Sequence, residues 1–358
     1  MDHLNQDNLL KLKSLRKKVN WSIEKQRVEL LGQVINLFSE WNGQLPNLLD
    51  VFWSSEIDWL ISEVISKHMT GSWEDICRPE GLIDFVISTG YKNKPLVDKD
   101  GKPALHRTTP LHHAAKNIDC IFRLRRVVGK LFKIYDRIDV TYIDESGRTH
   151  FHVACMSGCY DVVKEFLDFG QDPNQLLTET GDSPLHLAFR TCKRDNVIEL
   201  LLRRGADPNL TNKDGLTPLQ IICENRYRED LAKMLLEICN EKHVPVHVNF
   251  QDKSGRTPLH VAVENRSRTL MKILLRSGAD PHLTTTTRRE TALHYICMVD
   301  CCDRLLKKFF KICDDIGHKI QVNARNDVDP DTIAPITGFP QQTLGRVSVE
   351  TWRRSKCG

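Results

Sequence analysis

The sequence predicts an all-α solenoid, a stack of helix–turn–helix units, and three observations carry that expectation. The stretch from Gly181 to Asn209 reads as one complete unit. Ser183-Pro184-Leu185-His186 and Ala188 open it, Val197, Ile198, Leu200, Leu201 and Leu202 form an apolar run, and Gly205-Ala206-Asp207-Pro208-Asn209 closes it. The same frame returns at Thr109-Pro110-Leu111-His112, Thr149-His150-Phe151-His152, Thr217-Pro218-Leu219-Gln220, Thr257-Pro258-Leu259-His260 and Thr291-Ala292-Leu293-His294. The opening residues of successive frames lie 40, 34, 34, 40 and 34 residues apart, and a recurring period in this range marks a repeat architecture.

Each residue of the unit has a physical role. A Thr or Ser ahead of Pro starts a helix, because the hydroxyl accepts from an early backbone N–H and Pro at the first helical position gives up no needed donor. Leu185 and Ala188 share a face, and the small Ala lets the next unit approach. Ile198, Leu201 and Leu202 form the stripe of a second helix. Gly205 ends that helix through positive φ, and Asp207-Pro208 turns the chain away. A single pair cannot bury its own stripe, so neighbouring units must stack.

A T-P-L-H-x-A core at a period near about 33 residues resembles the ankyrin-repeat family. The resemblance implies an ankyrin-repeat α-solenoid over residues 97–327. It also implies that loop tips and the exposed side of each first helix line a groove for a partner protein, with the motif histidine hydrogen-bonding between adjacent loops. Carried onto this sequence, the tips include Glu145, Arg148, Glu179, Asp182, Lys213, Asp214, Lys253, Arg256 and Arg288, and the helix positions include Met156, Arg190, Glu224, Glu264 and Met298. Early tips are acidic and later ones basic, a polarity that would orient a partner of opposite pattern.

Residues 1–71 precede the array and read as helical. Leu9, Leu12, Leu15 and Val19 step by three and four beside Lys11, Lys13, Arg16, Lys17 and Lys18, and Val28, Leu31, Val34, Ile35 and Phe38 mark a second helix from Glu24 to Trp41. A stretch rich in Leu, Ile and Trp follows, from Asn47 to His68. Gly81 to Gly90 looks like a second helix with its terminal Gly, so residues 72–96 are expected to form a degenerate capping repeat. An insertion from Lys102 to Arg107 lengthens the first loop.

The 34-residue units close with Gly-x-Asp-Pro, at Gly170, Gly205 and Gly278. The 40-residue units run on into a longer second helix, such as Leu231 to Cys239 with the exit Val246-His247-Val248-Asn249. The outer layer should therefore be uneven. In the last unit Leu305, Leu306, Phe309, Phe310 and Cys313 form the stripe, and residues 328–358 read as a mostly disordered tail. With no polar cap after it, the Leu305–Phe310 layer is expected to stand open, which a partner, a dimer contact or a truncated end would explain.

Composition narrows the function. A net charge of +4 from 51 basic and 47 acidic residues gives no concentrated basic face, so direct nucleic-acid binding is not expected. No apolar run reaches the length of a membrane span, and Met1 to Lys18 has no signal core, so a cytoplasmic or nuclear location is expected. Of twelve cysteines, Cys155, Cys223 and Cys297 share one phase of the frame and read as small buried side chains in a reducing compartment. Cys155/Cys159 and Cys297/Cys301/Cys302, with His150 and His152, offer i, i+4 spacings that could hold a metal. Their coincidence with packing positions points to structure instead.

No phosphate-binding loop, zinc-protease motif or nucleophile elbow occurs. Neither an enzyme, a cofactor nor a metal is expected. The expected function is an interaction module, acting as a scaffold or as an inhibitor or retainer of a signalling or transcription factor. The alternative is a substrate-recruiting adaptor of a ubiquitin ligase.

Overall fold

In the computed structural model the described residues are 2–70, 79–95, 105–116, 118–191, 195–224, 228–298 and 303–321, with 324 and 327. Helices are the only extended regular elements among them, joined by two isolated bridges at Ile143. The chain divides into two compact units: Met1–Asp172 with Leu177–Glu179 and Thr191–Val197, and Pro173–Leu176 with Thr180–Arg190 and Ile198–Gly358.

The first unit holds α1 (Asp2–Lys18), α2 (Glu24–Ser39), a 3₁₀ turn (Leu48–Asp50), α3 (Ser54–Thr70), α4 (Pro79–Ser88), α5 (Pro110–Ala114), α6 (Ile118–Leu131), α7 (His150–Ser157) and α8 (Tyr160–Asp168). α5 pairs with α6 and α7 with α8, and α5 packs on α7. α3 and α4 behave as a further pair of the same kind, with α3 packing on α5 and α4 on α6. The first helix belonging with α4 is thus α3, which the sequence frame had placed in the leading helical region. The expected start of the capping repeat at Ser72 lies outside the described residues.

α3 carries its own version of the helix start. Glu56 accepts from the Trp53 backbone N–H at 2.9 Å, the reach-back role that His or Gln plays in the other units. The same carboxylate pairs with Arg16 of α1 at 3.0 Å, and the Arg16 guanidinium lies 5.7 Å from the Trp53 ring centroid. Behind α3, α2 buries Leu30, Leu31, Val34 and Phe38, with Phe38 stacked on Phe85 of α4 at 3.7 Å. On α1, Leu12 is fully buried whereas Leu10 is 63% exposed.

The insertion before α5 has a specific use. Arg107 forms an ion pair with Asp58 of α3, which is buried, and the Tyr135 hydroxyl donates to the same carboxylate. Asn93 adds a third donor at 3.3 Å and in turn accepts from the Tyr142 hydroxyl at 3.2 Å. Ile143 pins the insertion's backbone, accepting from Arg107 N–H at 3.0 Å and donating to Leu105 at 2.8 Å. One buried carboxylate thus ties α3 to the first motif-bearing repeat.

The second unit holds α9 (Pro184–Thr191), α10 (Asp195–Arg203), α11 (Pro218–Cys223), α12 (Glu229–Glu241), α13 (Pro258–Glu264), α14 (Arg268–Arg276), α15 (Ala292–Met298) and α16 (Asp303–Asp315), with the Thr191 end of α9 and the start of α10 grouped with the first unit. α11 packs on α13 and α13 on α15 in one layer, α12 on α14 and α14 on α16 in the other. The two repeat lengths translate into two helix lengths: α6, α12 and α16 have 14, 13 and 13 residues, against 9 each for α8, α10 and α14. Leu305, Leu306, Phe309 and Phe310 are all buried, which corrects the expectation of an open last layer. α16 turns this stripe onto α14 and α15. The tail, residues 328–358, lies outside the described residues.

Asp58→Ala strands a buried guanidinium. It should cost about 3 kcal/mol or more in chemical denaturation, and adding Arg107→Met should recover part of the loss. An unchanged midpoint in the single variant would show that the pair holds nothing together.

Candidate interaction surface

Each motif helix begins with a reciprocal pair. The backbone N–H of Thr109, Thr149, Thr257 and Thr291 donates to Nδ1 of His112, His152, His260 and His294, each at 3.1 Å, and Ser183 does so to His186 at 3.2 Å. An Nδ1 that accepts leaves the ring proton on Nε2. That proton reaches the next repeat, donated by His186 to the Leu216 carbonyl at 2.9 Å and by His260 to the Glu290 carbonyl at 3.1 Å. Gln220 performs both tasks with an amide: Oε1 accepts from Thr217 N–H at 2.9 Å and Nε2 donates to the Arg256 carbonyl at 2.9 Å. In each of these three bonds the carbonyl is that of the residue just before the next helix cap.

The tips are built by a side chain the sequence reading passed over. Asp144, Asn212 and Asp252 each stand five residues before a Thr cap, and each folds its loop by accepting backbone N–H groups. Asp252, for example, accepts from Ser254 at 2.9 Å and Arg256 at 2.8 Å. A recurring Asp or Asn at that offset was the available signal. Adjacent tips are laddered: in the first unit Glu179 N–H donates to the Ser146 carbonyl at 3.2 Å, and in the second Lys213 to Thr180 at 2.9 Å, Lys253 to Asp214 at 3.4 Å and Thr286 to Ser254 at 3.0 Å. The approach is close enough that a Cβ on Gly255, at φ +77, would stand 2.3 Å from the Thr286 nitrogen.

The expected surface residues divide into three groups. Glu145, Glu179, Lys213, Asp214, Lys253, Arg288 and Met298 are exposed. Arg148, Arg190, Glu224, Arg256 and Glu264 are tied into ion pairs within the protein. Arg148 holds Asp144 at 3.5 Å, Arg190 holds Asp182 at 3.9 Å and Glu224 at 3.7 Å, and Arg256 holds Asp252 at 2.8 Å and Glu264 at 3.3 Å. Burial raises the Glu224 pKa despite the neighbouring Arg190. Met156 and Asp182 are corrections, since both are buried. Met156 is only 3% exposed, and Asp182, 6% exposed, accepts from Asn212 Nδ2 at 2.8 Å.

In the first unit a recess of about 660 Å³ lies under the tips, lined by Thr108, His112, His113, Lys116, Asp144, Glu145, Ser146, Arg148 and Glu179. His150 stands where most units have Pro. It bonds Thr109 Oγ1 through Nε2 at 2.9 Å, and its ring lies 5.0 Å from that of His112 and 5.2 Å from that of Tyr142. His152 instead serves its own helix cap. The two histidines are therefore spent separately. Among the described residues no group of three or more His, Cys, Asp or Glu could hold a metal. Cys155 and Cys223 are buried as expected of packing positions, while Cys297 is half-exposed, a departure from that expectation. Burial drives the Cys223 thiol far up, Cys239 to about 11 and Cys313 to about 12. Cys301 and Cys302 fall outside the described residues.

A helix start with a reach-back His, a glycine-bearing tip and a short helix pair identify the architecture, and comparison with known proteins agrees. The family model described as ankyrin repeats (3 copies) matches residues 125–212 and 185–285. Residues 125–285 are thus an array of ankyrin repeats. It is 29% identical over 226 residues to the E3 ubiquitin-protein ligase KEG of Arabidopsis thaliana, covering 61% of this chain and 13% of that protein. To the ANK repeat-containing protein nipk-1 of Caenorhabditis elegans it is 28% identical over 206 residues, 57% of this chain and 29% of the relative. To the ankyrin repeat and MYND domain-containing protein 1 of Mus musculus it is 39% identical over 92 residues, 24% and 10% of the two chains. The chain thus spans less than a third of the length of these relatives.

Two predictions follow from the geometry. Gly205, at φ +93, has nothing near its missing Cβ, so Gly205→Ala should cost about 1–2 kcal/mol of left-handed strain. Gly255→Ala should cost distinctly more in the same denaturation assay, because the next tip must also move. The second concerns pH. Burial lowers His112 and His260 to about 4, below the unfolded value of about 6.5. Their stability is full above about pH 6.5 and falls as the pH drops toward 4, because the unfolded chain binds the proton first. By pH 5 each should remove about 2 kcal/mol. His260→Gln, which copies the Gln220 arrangement, should fold at pH 7.5 and lose less stability at pH 5; an unchanged pH profile would refute the assignment.

Proposed function

We propose that the chain is a non-catalytic module that holds a partner protein against the face formed by its tips and inner helices, as a scaffold or as an inhibitor or retainer of a signalling or transcription factor. The observation that carries this reading is how the charges are divided. Inner-helix charges are consumed by pairs such as Arg190–Glu224 and Arg256–Glu264. The exposed tip residues point outward: Glu145 and Glu179 in the first unit, and Lys213, Lys253 and Arg288 in the second, where Asp214 is the acidic exception. Charges spent inside the fold fix the repeats, and those at tips such as Glu145, Glu179, Lys253 and Arg288 are available for recognition. Cys159, Cys223, Cys239 and Cys313 form no disulfide among the described residues, which fits a cytoplasmic or nuclear location. Among the described residues no helix is long and apolar enough to cross a membrane.

A second reading, an adaptor delivering a bound protein to a ubiquitin ligase, draws on the names of two relatives: the ligase KEG, and the putative E3 ubiquitin-protein ligase XBAT35 of Arabidopsis thaliana, 36% identical over 85 residues, 23% of this chain and 18% of that one. Co-purification of ligase components with the full chain would favour it. For the first reading, Lys213→Glu, Lys253→Glu and Arg288→Glu should be combined and Arg190 and Arg256 left in place, so that the fold keeps its internal pairs. Partners captured by the wild-type chain should bind at least about tenfold more weakly to the triple variant. Equal binding of every captured partner would sink the assignment of the tips.

A further inference from the structure

The alternation of repeat lengths leaves a step in the outer layer of the second unit. α12 and α16 have 13 residues each, and α14, packed between them, has 9. α12 and α14 begin at nearly the same distance after their caps, Glu229 after Thr217 and Arg268 after Thr257, so the surplus lies at the C-terminal end of α12. Four further residues extend it by about 6 Å. The chain then returns through Val244-Pro245-Val246, beside the C-terminal end of α14.

A shallow recess of about 400 Å³ opens in this step, lined by Leu236, Val244, Pro245, Val246 and Val248, with Glu237 its one charged lining residue and Ser277 at the end of α14. Val244 is 38% exposed and the following Phe250 36%. In the 34-residue units the corresponding exit is Gly-x-Asp-Pro, and in two of them x is a buried alanine, Ala206 and Ala279. The α12 unit has replaced a small closed turn by aliphatic side chains, of which Val244 faces water and Val246 is half-buried. Glu237, exposed on α12, is the charge that lines the recess, beside the carbonyl end of α14 with its partial negative charge, and Arg276 of the last turn of α14 is not among the lining residues. Lys242, the nearby cation, is turned away, its Nζ donating to the Arg203 carbonyl at 2.6 Å.

We propose that this recess is a second interaction site, on the layer opposite the tips, and that it takes a peptide segment with an aliphatic side chain beside a lysine or arginine. The aliphatic group fills the space among Leu236, Val244 and Val246. The cation sits against Glu237 and the α14 carbonyl end.

The test uses the full chain as bait for a displayed library of random 12-residue peptides, followed by binding of the selected peptides to Val244→Asp, Glu237→Lys and Lys253→Glu variants, each checked for an unaltered unfolding midpoint. Peptides with an aliphatic residue beside Lys or Arg should be enriched. They should lose at least about tenfold in affinity with Val244→Asp and with Glu237→Lys and bind Lys253→Glu as well as wild type. A selection that yields no such sequence, or sequences whose binding survives Val244→Asp, overturns the proposal. Lys253→Glu reports separately on the tip surface, so either site can fail without the other.

Discussion

Neighbouring repeats here are joined by a side chain that must accept on one side and donate on the other. His186 and His260 accept a hydrogen bond from their own helix cap on Nδ1 and donate one to the next loop from Nε2. Both bonds exist only in the neutral ring with the proton on Nε2, because an imidazolium has no acceptor. Each such histidine therefore fixes its tautomer through its contacts. Desolvation then makes protonation costly, as the depressed pKa values of His186, His260 and His112 reflect. Gln220 shows that the fold requires this donor–acceptor pairing rather than imidazole itself.

From that tie the tips inherit their spacing. Once the cap of one repeat is bonded to the loop of the next, the glycines at the loop ends meet the next backbone with no room for a side chain, as Gly181 does with Lys213 and Gly255 with Thr286. A carboxylate or amide at Asp144, Asn212 or Asp252 folds each loop from inside. The surface that results is ordered by backbone bonds. Exposed side chains such as Glu145, Glu179 and Lys253 can then vary in charge without altering the scaffold that carries them.

Much of this was legible in the sequence because repetition makes each signal redundant. Six helix starts share a Thr or Ser three residues before His or Gln, and the two periods foretold two outer-helix lengths, seen in α12 and α14. What was not legible depended on single, non-repeated contacts. Asp58 and Arg107 lie 49 residues apart, and no periodic pattern connects them. Without that pair α3 looks like part of a leading helical region, although it packs as the first helix beside α4. Met156 and Asp182 occupy frame positions expected to be exposed, yet one is covered and the other is drawn in by Asn212 and Arg190. A frame position predicts backbone placement well. It predicts exposure only where neighbouring side chains leave the residue uncovered.

The same distinction bears on how such an array acquires binding sites. A substitution at Arg190 or Arg256 alters pairs within the fold, whereas one at Lys253 alters only what the surface offers. Length changes act differently from substitutions. Extending α12 at its C-terminal end leaves the cap of its own repeat intact: Thr217 keeps its bond to Gln220. The inter-repeat bond is kept too, from Gln220 to Arg256. The extra residues enter after the cap contact and within the segment that the Gln220–Arg256 bond closes, and both contacts are kept. They can therefore carry an aliphatic side chain such as Val244 into solvent, at a place where a shorter repeat has only a turn. Variation in repeat length thus creates relief on the outer layer in the way that variation in tip sequence creates charge on the other, and the two can change independently because they lie on opposite sides of the bond that joins the repeats.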